Sequence, residues 1–209
     1  MLFRSGRKAL AVNLSDIAAM AGRPLAAFIS WVLPRQGGRS LAEEIYQGIS
    51  ELAQEFEVSI AGGDTNSWDG PLVINITLVG ETIDGRKMTR GGAVAGDWIF
   101  VTGPVGGSIH RRQFTFTPRL REARALVTTA PIHAMLDLSD GIASDLRHIL
   151  RESGVGATLY AERIPIHPDV DHELPSEQRL RHALGDGEDF ELLLTTSPAT
   201  GRKLLESPP

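Results

Sequence analysis

The side chains best suited to chemistry are acidic, and most of them stand beside small residues at the edge of an apolar run. Asp64 follows Gly62-Gly63, where bare backbone can approach a ligand and offer N–H groups while the carboxylate holds a cation. Asp137 and Asp140 flank Leu138-Ser139, where a strand-like stretch gives way to a helix-like one. Such a pair can share hard cations, and the helix N-terminus beyond it can face phosphate oxygens. Asp16 lies late in an apolar-striped segment beside Asn13 and Ser15, among alanines that admit another backbone. Helix interiors disfavour Asp, and broken local rules mark functional positions. Arg90 precedes Gly91-Gly92 and has the planar fork that suits an oxyanion, and Glu188-Asp189 form a further acidic pair before an apolar stretch. Each has a plainer reading: Ser139 or Asp140 as a helix cap, Asp64 as a turn residue, Asp16 and Arg90 as solvated surface groups, Glu188-Asp189 as loop.

The net charge of −5 argues against a nucleic-acid binder, which carries a basic stripe. It also sets a problem if the ligand is phosphorylated, because carboxylates and phosphates repel. A divalent cation between them is the usual remedy. With no cysteine, disulfides and thiolate metal sites are excluded. The longest apolar run, Leu25 to Leu33, is too short to span a bilayer, and Met1 to Ser5 has no signal-peptide core, so a cytoplasmic location is expected. Gly103-Pro104-Val105-Gly106-Gly107-Ser108 resembles a phosphate loop but lacks the lysine. Neither a Gly-x-Ser-x-Gly elbow nor a His-Glu-x-x-His pair occurs, and His133 and His148 read as structural.

These side chains need elements to hold them. At 209 residues the chain can form one large domain or two small ones. The spacing predicts helices over 7–21, 40–57 (with Ser40 and Glu43 as a capping box), 119–129 and from Ser139-Asp140 to Gly154. It predicts a buried strand over 25–33, a short strand over 58–61 running into Gly62-Gly63-Asp64-Thr65, and a strand over 72–79 with one wetter face. Further strands are expected over 98–102, 132–138, 157–160 and 190–195, with a boundary at the glycine-rich stretch from Arg90 to Asp97. Alternating strands and helices give an α/β or α+β protein.

Five stretches, taken in order, resemble the thiamine-monophosphate kinase family: Lys8 to Met20, Gly62-Gly63-Asp64-Thr65, Gly96-Asp97 through Val101-Thr102-Gly103, Asp137-Leu138-Ser139-Asp140-Gly141, and Gly187-Glu188-Asp189-Phe190-Glu191-Leu192. The likeness runs from Gly6 to about Thr196. It implies an α+β fold of the two-domain kind shared with aminoimidazole ribonucleotide synthetase. Residues 1–92 would form an N-terminal α+β, ATP-binding domain that dimerises through its sheet, and residues 93–209 a C-terminal α/β domain. Both are expected to be incomplete, because the family begins with two acidic strands ahead of this start and continues with helices past Pro209. The resemblance further implies that Asp16, Asp64, Asp137 and Asp140 hold several magnesium ions. Gly63, Asp64, Arg90 and Ser139 would contact ATP, and Glu188 the thiamine phosphate.

The implied reaction is direct in-line transfer of the γ-phosphoryl group of ATP to thiamine monophosphate, with no catalytic side chain forming a covalent intermediate. The implied assembly is a homodimer, with neither nucleic acid nor membrane as partner. Three features depart from the family: Met1 to Ser5 matches nothing in it, the connection from Gly107 to Asp137 is short, and Asp186 stands where glycine is commoner. Two other readings stay open, another ATP-dependent member resembling aminoimidazole ribonucleotide synthetase and a non-catalytic nucleotide-binding remnant. The Asn13 to Met20 run favours the thiamine branch over the first.

Overall fold

The computed structural model describes residues 1–83, 85 and 87–208; Asp84, Arg86 and Pro209, the last residue of the expected second domain, lie outside the described residues. Helix α1 (Leu2–Ala19) and helix α2 (Gly38–Glu55) lie against each other. Glycines bring them close: a Cβ on Gly6 would sit 2.0 Å from the carbonyl oxygen of Ile45, and one on Gly48 2.0 Å from that of Phe3. This contact explains why α1 begins five residues before the expected Arg7. Gly6 costs helix propensity but admits the α2 backbone. The apolar stripe Leu10, Leu14, Ile45, Ile49 and Leu52 fills the space between the helices and the sheet beneath.

The expected capping box at the start of α2 does not form. The helix starts at Gly38 behind a left-handed Gly37, so Ser40 falls at the third helical position and its hydroxyl donates back to the Gly37 carbonyl, while Glu43 pairs with Arg39.

Strand β1 (Gly22–Pro34) is central, paired parallel with β2 (Ser59–Trp68) and antiparallel with β3 (Val73–Thr82). It was expected to be buried throughout. Only alternate residues are, with Ala27 and Ile29 facing the helices and Phe28 41% exposed on the other side. Helices cover one face of this sheet, so a continuous apolar run sits here on a half-open strand. Gly62 to Thr65, expected where strand gives way to loop, lies within β2 itself.

The second half holds a three-stranded sheet in the order β4 (Trp98–Val101), β6 (Leu192–Thr196), β5 (Ile132–Asp137), all antiparallel neighbours. Helices α3 (Leu120–Thr129), α4 (Ile142–Ser153), α5 (Ser176–Gly185) and α6 (Pro198–Glu206) surround it. The strand expected over 157–160 is an exposed stretch with no ladder partner. Helices α5 and α6 were not anticipated; Ser197 caps the latter by accepting from Thr200 N at 3.2 Å, with Pro198 in its first turn.

The two halves share their packing. Phe190, from the second, stacks on Phe116 at 4.3 Å and joins the core of the first. A further cluster joins Ala18 and Ala21 of the α1 end to Leu126, Met135, Leu192 and Leu194. Helix α1 is therefore a common wall, and whatever it carries is held against the end of β5.

Candidate active site

Strand β5 delivers Asp137 to its C-terminal end, and Leu138 to Gly141 make the turn into α4. Gly141 has φ +92° and stands so close to α5 that a Cβ would lie 2.7 Å from the Leu184 carbonyl oxygen. The turn is braced by Asp145, whose carboxylate accepts from Asp140 N at 2.9 Å. The plainer reading of Ser139 or Asp140 as the cap of α4 does not hold: Gly141 occupies that position, and among the described residues neither side chain is engaged in a hydrogen bond. The turn is thus held by other groups while its hydroxyl and one carboxylate stay uncommitted.

Helix α1 closes the site from the opposite side. Ser15 donates its hydroxyl proton to Asp137 Oδ2 at 2.6 Å, and Asp16 stands next to it. Burial pushes the Asp137 carboxyl above the usual carboxylate range; the Ser15 hydroxyl and the Arg90 guanidinium pull it back, and Asp140 adds to the rise. Asp16 is exposed on its outer side, yet the protein displaces enough water around it to raise its carboxyl too, with Asp137 adding and Arg90 opposing. Asp145 follows the same pattern, raised first by burial and also by Asp140 and Asp137, while the N–H groups of the turn oppose. Asp16, Asp137, Asp140 and Asp145 therefore form one field of mutually repelling carboxylates, with Arg90 as its countercharge. Arg90 is carried by the linker, whose backbone is pinned where Thr89 O accepts from Met135 N at 3.0 Å and Ser153 Oγ accepts from Gly92 N and Ala93 N.

Such a set suits a magnesium ion. That cation keeps several waters and binds through one or two carboxylates together with substrate phosphate oxygens, not in an all-protein cage. No group of three or more His, Asp or Glu side chains is arranged to hold a metal among the described residues.

Asp64 is placed differently. It sits in β2 opposite Ser30 of β1, exposed, its oxygens accepting from Thr65 N at 2.9 Å and Asn66 Nδ2 at 2.7 Å. Ser30 is eight residues along β1 from the Gly22 end where Asp16 lies, about 26 Å of strand. Within one chain the structure does not bring Asp64 to the other three. Gly63 has a packing role of its own, since a Cβ there would fall 1.7 Å from the Ile29 carbonyl oxygen.

Glu188 lies in a tight segment in which Gly187, Glu188 and Phe190 all have positive φ, at +69°, +59° and +51°. Glu188 N donates to Ser139 O and Phe190 N to Leu138 O, both at 2.8 Å, so this segment supports the carboxylate turn directly. Lys8 of α1 places its Nζ 2.7 Å from Glu188 Oε2. The neighbouring acids have dedicated cations. Asp189 accepts from Gly106 N and from Arg112 Nη2 at 3.0 Å, and Glu191 takes both arms of Arg119 at 2.8 and 2.6 Å plus the Thr102 hydroxyl at 2.6 Å.

The loop around Gly106-Gly107 is not a phosphate loop for a second reason besides its missing lysine. Its N–H groups are spent on Asp189 and on Asp186, the latter at 2.8 Å.

Ser15, Asp145, Lys8, Arg112 and Arg119 were missed by sequence reasoning. Lys8 and Ser15 had a signal, being seven residues apart on one face of a helix. The arginine pairs had none, since Arg112–Asp189 and Arg119–Glu191 span 77 and 72 residues. A cavity of about 1010 Å³ between β4, α4 and residues 155–165 is mostly apolar and includes none of Asp16, Asp64, Asp137, Asp140 or Glu188.

Residues 2–82 match the family model for the N-terminal domain of AIR synthase related proteins, and residues 94–201 that for the C-terminal domain. The thiamine-monophosphate kinase of Rhodopirellula baltica is 43% identical over 196 residues, covering 92% of this chain and 61% of the relative. That of Escherichia coli K12 is 34% identical over 220 residues, covering 95% and 66%. The chain thus spans roughly two-thirds or less of the length of these relatives. The solved thiamine-monophosphate kinase of Stenotrophomonas maltophilia superposes with TM-score 0.87 at 30% identity, covering 99% of this chain and 72% of that one. A structure described as AaThiL complexed with AMPPCP and TMP superposes at 0.86 with 27% identity, covering 96% and 70%. With both halves matched in order and the same arrangement in space, the chain belongs to the AIR synthase related family, in its thiamine-monophosphate kinase branch.

Proposed function

We propose that this chain serves the ATP-dependent phosphorylation of thiamine monophosphate to thiamine diphosphate, by in-line transfer with magnesium. The observation that carries the reading is the meeting of Ser15 and Asp16 on α1 with Asp137 and Asp140 at the end of β5, under the field of Arg90. The names of the relatives and the AMPPCP and TMP of the solved neighbour supply the nucleotide and the acceptor. Asp16, Asp137 and Asp140 would hold magnesium, which when bound neutralises and bridges phosphate oxygens. Asp64 and Gly63 join the proposal through their motif alone.

The chain's own part is to fix positions and charge. Ser15 orients the Asp137 carboxylate, and Asp145 holds the turn that presents Asp140 and the free Ser139 hydroxyl. Arg90 offers a guanidinium to the nucleotide phosphates, and Glu188 marks the acceptor end. Residues 1–92 would act as the nucleotide-binding unit and 93–209 as the second wall.

We assign the reaction to the cytoplasm, in keeping with a chain in which no described helix is long and apolar enough to cross a membrane. We also propose a homodimer through the open face of the β2-β1-β3 sheet, where Leu25, Phe28, Val73 and Val79 are exposed. Sedimentation as a monomer at micromolar concentration would remove that part.

One observation favours nucleotide binding without transfer, namely that no three acidic or histidine side chains are grouped to hold a metal among the described residues. A single assay separates the readings. The chain is incubated with ATP, magnesium and thiamine monophosphate, and thiamine diphosphate is followed chromatographically. Magnesium-dependent product supports transfer, nucleotide binding without product supports the second reading, and neither overturns both.

A further inference from the structure

We infer that Lys8 is a positioning residue, which fixes α1 against the carboxylate turn and thereby sets Asp16 relative to Asp137 and Asp140. The inference rests on the magnesium-nucleotide reading above. Lys8 is largely covered, and its Nζ is shared among Glu188 Oε2, Gln113 Oε1 and the face of the Phe114 ring 5.3 Å away. Its contact with Glu188 is an ion pair and not an aligned hydrogen bond, so the attraction acts on position more than on angle. A lysine held by two oxygens and an aromatic face is a fixed point, not a solvated surface charge.

What it fixes is a strained segment. Glu188 and Phe190 are non-glycine residues in the left-handed region, a conformation that costs energy and persists only when the surroundings enforce it. Four backbone contacts enforce this one. Glu188 N and Phe190 N donate to Ser139 O and Leu138 O, Leu138 N donates to Glu191 O, and the Ser108 hydroxyl donates to Glu188 O. The first three of these partners belong to the turn that carries Asp137 and Asp140. The strained segment and the carboxylate turn therefore move as one body.

Besides the apolar contacts of Ala18 and Ala21, two polar ties on one face join helix α1 to that body, Lys8 to Glu188 and Ser15 to Asp137. Seven residues separate the two ties, about 10 Å along the helix. Apolar packing holds the body of the helix, while these two polar ties set its fine register against the turn. With Lys8 in place, Asp16, one residue from the second tie, keeps its distance from Asp137. Without Lys8, the register rests on Ser15 and the apolar packing alone, and the Glu188 charge is left unbalanced beside a cluster that is already acidic.

The test compares the whole 209-residue chain with Lys8→Met, Lys8→Arg and Lys8→Met/Glu188→Gln. Two readouts are taken: hydrogen exchange at the Glu188 and Phe190 amides, and calorimetric binding of AMPPCP in excess magnesium. Lys8→Met should speed exchange at both amides and weaken AMPPCP binding, each by roughly tenfold. Lys8→Arg should recover most of both, and the double variant should bind no worse than Lys8→Met alone. A lysine that merely adds stability would lower the melting temperature while leaving magnesium-dependent affinity unchanged. Exchange and affinity within twofold of the unaltered chain for Lys8→Met would overturn the inference. If the unaltered chain binds no AMPPCP, the functional reading above falls, while the exchange result still decides whether Lys8 holds the segment.

Discussion

Two groups of acids, one just ahead of β6 and the other where α1 meets the end of β5, are equipped in opposite ways. Asp189 and Glu191 each have an arginine at hydrogen-bond distance, and Glu191 receives a bidentate fork with a threonine hydroxyl besides. Asp16, Asp137 and Asp140, one hydrogen bond away through Leu138 N to Glu191 O, have no cation at hydrogen-bond distance among the described residues; the Ser15 hydroxyl and the more distant Arg90 act on them instead. Burial is the largest upward influence on both Asp189 and Asp137. What differs is the remedy. Built-in cations close the first group, so it serves the fold, whereas the second lacks them, as the proposed magnesium site requires. A partly buried acid without a dedicated partner, as Asp137 is, is a better pointer to function than acidity alone.

The largest effect should come from breaking the closed group. Arg119→Met leaves Glu191 buried without its fork and should destabilise the chain by about 3 kcal/mol. Urea unfolding will show this, and a loss below about 1 kcal/mol would mean that the pair is not the anchor described.

Next comes Asp137→Asn, which should weaken magnesium-dependent nucleotide binding by about a hundredfold yet leave the fold intact. Asp64→Asn should weaken it less and leave the melting temperature unchanged, because Asp64 is exposed and bonded only to its neighbours. Equal losses for the two would show that Asp64 joins the cluster.

The smallest effect is on pH dependence without metal. Asp16 and Asp137 have folded-state pKa values raised above their unfolded value near 3.9, so the native chain binds the extra protons in the window between. The stability they withhold is withheld fully above the raised values and returns as pH falls through them. Across that window, Asp137→Asn should therefore flatten the stability profile measured in chelator. A profile that moves the other way would mean that Asp137 is not raised.

Much of the fold was legible because its periodicities are local. The stripes of α1, α2, α3 and α4 and the alternation of β3 follow from spacing alone. What could not be read depends on distant partners. Gly6 inside a helix makes sense only once Gly48 is seen against it. The Ser40–Glu43 box was a valid local signal that lost to an earlier start at Gly37. The acids proposed for the site were legible as residues, since Asp16, Asp137 and Asp140 stood out in their local settings, whereas Glu188 read as loop until the resemblance gave it a role. Their company was not, because Ser15 and Asp137 are 122 residues apart and Lys8 and Glu188 farther still. Asp64 shows the limit from the other side, as its glycine-flanked motif resembles a ligand loop and folds as an edge strand.

The central claim is that the carboxylates around Asp137 are an open site completed by magnesium and nucleotide. The direct measurement is the melting temperature of the chain and of Asp137→Asn, each in chelator and in saturating magnesium with AMPPCP. Ligand that binds only the native state raises stability by mass action, by about 2.7 kcal/mol at a hundred times its dissociation constant. The account predicts that the unaltered chain gains several degrees on adding ligand, while Asp137→Asn melts higher than the unaltered chain in chelator and gains almost nothing from ligand. Equal gains for the two proteins, or none for either, would contradict it.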